Sequence, residues 1–166
     1  MTGVSLTRDD FIRQYLAIDP ASPTGLTWTG HPHKTTAVRF TGKPAGRLTG
    51  EGYYQTSIQY TPLLNHRIIW FLRHGKWPAG QVDHIDGVRT NNHPDNLRDV
   101  THAENLQNQL VKGYAWVARR QKWWAQISVD GKRRHIGYFT NEEDARAAYL
   151  AAKAKYHPTA SERCFD

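Results

Sequence analysis

The stretch VDHIDGVRTNNHPDNLRDVTHAENLQNQ, residues 82 to 109, limits the fold of this chain more than any other, because it holds almost no core-forming residues. Asparagine is unfavourable in helix and strand interiors and favours turns. A run this polar therefore reads as loops or as a site, with the core supplied from either side. Inside it Asp83 stands beside His84, and Asn96 and Asn105 follow.

Apolar elements precede the run. TRDDFIRQYLAI offers Thr7 as an N-cap with Asp10 three residues later, then Phe11, Ile12, Tyr15 and Leu16 at helical spacing. DPASPTG breaks that helix, LTW begins an extended region, and YYQTSIQY alternates as a strand. Leu64, Ile68, Phe71 and Leu72 recur at helical spacing up to Gly75, a C-cap, which leaves His66 and Arg73 off the apolar stripe. QVDHI and NLRDV read as short strands joined by a polar loop, and a helix from Ala103 to about Val111 carries Asn105.

Beyond the run the pattern changes. YAWVA, WWAQISV and RRHIGYF are strand-like, and Asp130-Gly131 joins the last two as a hairpin turn. TNEEDARAAYLAAKAKYH follows as a helix, with Thr140 and Glu143 in capping-box spacing. The fold class expected is α+β in two domains, residues 1–111 and 112–166, the second a small three-stranded antiparallel sheet packed on one helix.

Charge points to the partner. The net charge is +7, and residues 112–135 hold seven Lys or Arg against Asp130 alone, a local +6. A polyanion fits that patch better than a membrane surface. There is no apolar run near 18 residues and no signal-peptide pattern, so a soluble, cytoplasmic protein is expected. The single Cys164 excludes a disulfide framework and a multi-cysteine zinc site.

The polar run suits phosphodiester hydrolysis, which needs an activated water and charge neutralisation on the phosphoryl and leaving oxygens. A neutral imidazole and one hard divalent cation suffice. Asp83 and Asn105 offer oxygen ligands, which suit Mg²⁺ or Mn²⁺ rather than zinc. At VDHIDG, NNHPDNLRDVT and ENLQNQ, preceded by HRIIWFLRHGKWP, the sequence resembles the HNH endonucleases of bacteriophage and homing type. The resemblance spans roughly residues 6 to 109 and implies a ββα-metal finger. It assigns His84 as general base, Asp83 and Asn105 as ligands of one metal ion per active site, and Asn96 as the residue that orients His84. His66 is a candidate phosphate contact, and Asp86 is read as a turn residue.

Residues 112–157 resemble the ethylene-response-factor (APETALA-type) DNA-binding domain, through KGYAWVARRQKWWAQISVDGKRRHIGYFTNEEDARAAYLAA. That implies a sheet laid in the major groove of double-stranded DNA. Alternation turns Trp123, Ala125, Ile127 and Val129 toward the helix. Trp124, Gln126 and Ser128 then face outward with Arg133 and His135, and Trp116, Arg119, Arg120, Lys122 and Arg134 complete the DNA-binding set. The expectation is a phage-encoded endonuclease that nicks DNA or cuts both strands, as monomer or homodimer, and acts in the host cytoplasm. The alternative is a DNA-binding regulator with an inactive nuclease module.

Overall fold

The computed structural model describes residues 6–166, which divide into two compact units, one ending at Asp99 and the other Val100–Asp166. No helix among the described residues is long and apolar enough to cross a membrane.

The first unit begins with α1 (Arg8–Tyr15), whose N-cap Thr7 accepts from the Asp10 amide while Asp9 and Asp10 meet the positive end of the helix dipole. β1 (Leu16–Ile18) pairs antiparallel with β2 (Leu26–Trp28). α2 (Lys34–Phe40) follows, then the antiparallel sheet β3 (Arg47–Leu48), β4 (Tyr54–Ile58) and β5 (Thr61–Leu64). α3 (Asn65–His74) ends at Gly75 in the left-handed region, φ 71°. β6 (Gln81–His84) pairs with β7 (Leu97–Val100). Phe11, Ile12, Leu16, Leu26, Ile58, Ile68, Ile69, Phe71, Val82 and Leu97 form one core. Burying each large side chain contributes about 1.5–3 kcal/mol.

A polar hub runs through this core. Asn65 is fully buried, and its Oδ1 accepts from the Thr56 hydroxyl at 2.7 Å while its Nδ2 donates to the carbonyls of Thr24 (3.1 Å) and Ala45 (2.8 Å). One side chain thereby ties strand β4 to the segments at Thr24 and Ala45 and has its own buried polar atoms satisfied.

In the second unit α4 (His102–Gln107) is opened by a complete capping box between Thr101 and Glu104. β8 (Tyr114–Val117), β9 (Lys122–Val129) and β10 (Lys132–Phe139) form an antiparallel sheet in the order β10-β9-β8. Asp130 (φ 52°) and Gly131 (φ 73°) make the two-residue turn. α5 (Glu142–Tyr156) packs on the sheet; its N-cap is Asn141 rather than Thr140, with Asn141 Oδ1 accepting from the Asp144 amide. Gly113 is required where it stands, since a Cβ there would lie 1.9 Å from the Tyr149 ring.

The units divide before α4, earlier than the boundary at 111/112 read from sequence. Hydrogen bonds account for the difference. The buried Lys153 Nζ donates to the Gln109 carbonyl at 2.9 Å, the Thr159 hydroxyl to Gln107 Oε1 at 2.7 Å, and the Ser161 amide to Asn108 Oδ1 at 3.3 Å. The end of α4 is thus tied to the carboxy-terminal segment.

Candidate active site

His84 ends β6 and is 4% exposed. Its Nε2 lies 3.1 Å from Asn92 Oδ1, and Asn92, also buried, donates from Nδ2 to the Thr24 carbonyl at 3.0 Å. A carbonyl oxygen only accepts, so the Thr24 bond fixes which end of the amide is nitrogen. Asn92 therefore presents its oxygen to His84, the proton sits on Nε2, and Nδ1 is the basic nitrogen of a neutral ring. Gly25 makes the packing possible: a Cβ there would come within 2.7 Å of Asn92 Cβ.

Burial pushes His84 below the ordinary imidazole range, outweighing the Asn92 bond and the Asp86 and Asp83 charges, which favour the cation. His66 meets it edge to face at 5.1 Å, and the Tyr53 ring lies 5.3 Å from His66 and 6.1 Å from His84. The Arg89 guanidinium covers Tyr53 at 5.0 Å.

Two sequence expectations change here. The first gives Asn96 the task of orienting His84, but the amide on His84 belongs to Asn92. Asn96 closes the loop instead: its Nδ2 donates to Asp86 Oδ1 (2.9 Å) and the Asn91 carbonyl (2.8 Å), and its Oδ1 accepts from the Asp86 amide (3.1 Å). The two asparagines lie four residues apart in a segment full of them, and spacing alone does not separate their jobs. The second expectation leaves His66 off the apolar stripe, yet it is 5% exposed. That stripe omits Ile69, three residues on and fully buried, so α3 buries a wider face than Leu64, Ile68, Phe71 and Leu72 mark out. His66 therefore walls His84 rather than offering a surface contact to phosphate. Its Nδ1 has no hydrogen-bond partner among the described residues. Burial first, then the neighbouring His84 and Arg67, hold its pKa down to about 3.

Asp83 takes both Arg98 Nη2 (2.8 Å) and Nε (3.0 Å) on Oδ2. Asp86 has the turn role expected: its carboxylate accepts from the Val88 amide at 2.8 Å and from Asn91 Nδ2 at 2.7 Å. Partial burial opposes its ionisation, but these bonds and the one from Asn96 win and hold its pKa low. Asn105 is half-buried on α4, in the second unit.

On the sheet of the second unit, Ala125 and Ile127 are buried toward α5, as alternation requires. Trp124, Gln126 and Ser128 share the other face; Gln126 stands opposite His135, Ser128 opposite Arg133, and Tyr138 opposite Trp124 after a bulge. Trp124 Nε1 donates to His135 Nδ1 at 2.7 Å. Lys122 shares this outward parity, Arg120 lies over Tyr138 at 4.7 Å, and Arg119 is exposed in the connecting turn. Trp116 and Arg134 fall on the opposite face. Trp116 pairs directly with Trp123, and Arg134 pairs with the buried Ile127 and covers Tyr156 of α5 at 5.2 Å. Directly opposed residues share a face, and the register that sets these two pairs is not visible in alternation along one strand.

Comparison with known proteins bears on the first of these sites. Residues 64–107 match the HNH endonuclease family. The HNH segment contains His66, Asp83, His84, Asn92, Asn96 and Asn105, so the polar groups around His84 fall inside it except Thr24 and Tyr53. The chain is also 32% identical over 80 residues to Protein 3.8 of Escherichia phage T7, an alignment covering 43% of this chain and 66% of that protein. The match thus falls just short of two thirds of the relative's length. No solved structure matches. The HNH match points to a nuclease, and HNH nuclease domains act on DNA, generally with a divalent metal.

Proposed function

We propose that this protein is a metal-dependent DNA endonuclease in which His84 activates the attacking water. The observation that carries the reading is the Thr24–Asn92–His84 chain of hydrogen bonds. It holds a buried imidazole in one tautomer, within the segment that matches a nuclease family. Nδ1 accepts a proton from the water, and Asn92 keeps the Nε2 proton in place, so the ring takes up charge without turning. Asp86 and Asp83 favour that charge.

Among the described residues no three His, Cys, Asp or Glu side chains gather as a metal cage. The family resemblance gives Asp83, a carboxylate, and Asn105, a carboxamide, as the ligands, and oxygen donors of these kinds would suit a hard ion such as Mg²⁺ or Mn²⁺. When bound, such an ion neutralises charge on the phosphoryl group and the leaving oxygen. Asp83 supplies the anionic oxygen, and Arg98 orients its carboxylate. The ββα-metal arrangement is proposed on the family match and on the chain order β6, β7, α4.

The outward face of the β8–β10 sheet is proposed to bind double-stranded DNA through Trp124, Gln126, Arg133 and His135, with Lys122, Arg119 and Arg120 on the backbone. This part rests on the resemblance to ethylene-response-factor domains and on an exposed cationic and aromatic surface. Incubating supercoiled plasmid with the purified protein and Mg²⁺, with and without chelator, tests the whole. Chelator-sensitive conversion to nicked or linear DNA is expected. Unchanged plasmid, with the protein bound to it, points to the inactive-regulator alternative instead.

A further inference from the structure

Between Asp19 and Glu51 the chain carries no acidic residue, yet it holds Lys34, Arg39, Lys43 and Arg47. The +6 of residues 112–135 leaves only +1 for everything else, and that small net value conceals this second positive region. All four side chains are exposed, and none forms an ion pair with a carboxylate among the described residues.

The backbone shows that most of this region is an excursion. Trp28 receives the returning chain at Lys43, through its amide to the Lys43 carbonyl (3.0 Å), and accepts from the Gly42 amide at 2.7 Å. Thr27 bridges to Pro44, and the Ala45 amide donates to the Leu26 carbonyl at 2.8 Å. The chain thus leaves the core after β2 and comes back to the same strand. The helix between, α2, contributes no buried residue, and Val38 on it is 88% exposed. His31, at its start, packs on Phe11 at 5.7 Å and so anchors the segment, while a helix held at both ends that buries none of its own residues has its surface available to a partner.

That surface has a shape as well as a sign. A groove of about 660 Å³ separates α2 from the β3–β5 sheet, with Trp28, Phe40, Arg47 and Tyr60 on its walls. Tyr60 is completely exposed at the tip of the β4–β5 hairpin, in a turn where both Gln59 and Tyr60 adopt positive φ. Arg47 in the wall of this groove, with the exposed Lys34, Arg39 and Lys43 on the segment that forms one side of it, complements a polyanionic backbone whose phosphates recur at short intervals.

We propose that the excursion carrying α2, together with Arg47, is a second contact to the phosphate backbone of duplex DNA, belonging to the unit that holds His84, an inference that rests on the endonuclease reading. The nuclease unit then grips DNA by itself, and the C-terminal sheet adds preference for sequence.

The test uses the full chain and its variant K34Q/R39Q/K43Q, with binding to a duplex of random sequence measured at several salt concentrations. Every phosphate that the protein no longer neutralises lowers the slope of log K against log salt by about 0.9. The triple variant should therefore show a slope shallower by roughly two to three units and weaker binding at low salt. Circular dichroism and the thermal midpoint should match wild type, because none of the three side chains is buried. A wild-type slope in the folded variant overturns the proposal while leaving the nuclease reading intact. So does loss of binding to anionic lipid vesicles with DNA binding unchanged, which makes the surface a membrane contact. Failure of the wild-type chain to bind duplex at all overturns both readings.

Discussion

The surroundings of His84 and the outer face of the β8–β10 sheet are both polar, but they are built in opposite ways. Around His84 the polar groups are locked to one another: buried Thr24 fixes buried Asn92, Asn92 fixes buried His84, and at the half-buried edge Asn96 fixes Asp86. On the sheet, Arg133 and His135 are exposed, and the side chains are joined at the surface, by the bond from Trp124 to His135 and by ring contacts at Tyr138. Locked groups suit chemistry, where a small displacement of a proton acceptor costs rate. Exposed groups suit recognition, since they can adjust to a groove and exchange water for base edges.

The sharpest way to break this contrast is His84→Ala. Loss of a general base typically costs about 10²- to 10⁴-fold in rate. Plasmid cleavage should fall by that factor while duplex affinity stays near wild type, and a variant that cuts normally removes His84 from the chemistry. Asn92→Ala comes next. It frees the Nε2 proton without removing the imidazole, and loss of such an orienting partner typically costs about 10- to 100-fold. Asn96→Ala acts on the loop through Asp86 and Asn91, so it should lower the thermal midpoint more than Asn92→Ala does relative to its effect on rate. If Asn96→Ala proves slower than Asn92→Ala with no loss of stability, then Asn96 and not Asn92 governs the imidazole.

The buried side of the contrast also predicts a pH dependence. His66 has a folded-state pKa of about 3, below its ordinary value of 6.5. The folded protein therefore binds fewer protons than the unfolded chain in that window. The stability tied to this ring is fully present above about pH 6.5 and is lost progressively as pH falls toward 3, at about 1.4 kcal/mol per pH unit for one proton. His84, shifted the same way, adds to it. Denaturant melts of wild type and His66→Phe at pH 7 and pH 5 check this: the wild type should lose more, and parallel losses mean that the ring is protonated when folded.

On the sheet the expected effects are smaller and depend on face. Arg133→Ala should cost about 1–3 kcal/mol on a preferred site and blur its sequence preference. Arg134→Ala, on the α5 side over Tyr156, should leave preference intact. Competition binding on selected and scrambled duplexes compares them; equal effects dissolve the distinction between the two faces.

Much of the scaffold is legible in the sequence because its signals are local. Thr7, Gly75 and Asp130-Gly131 announce a cap, a stop and a turn within a few residues, and each is where the structure has it. The contacts that shape the site span the chain. Asn92 reaches Thr24 and Asn65 reaches both Thr24 and Ala45, and no periodicity reports such pairings. His66 and Trp116 escape sequence reading for a related reason: the width of a buried helix face and the register of two strands are set by partners elsewhere in the chain.

Cys164 is the chain's one cysteine, buried at 8% exposure with its Sγ 3.5 Å from the Asn108 carbonyl. It gives the second unit a built-in clock. A thiol-specific dye can reach it only when the terminal segment lifts from the residues that follow α4, so the labelling rate measures how often that clasp opens. The same number, taken with and without duplex, tells whether added DNA steadies the clasp.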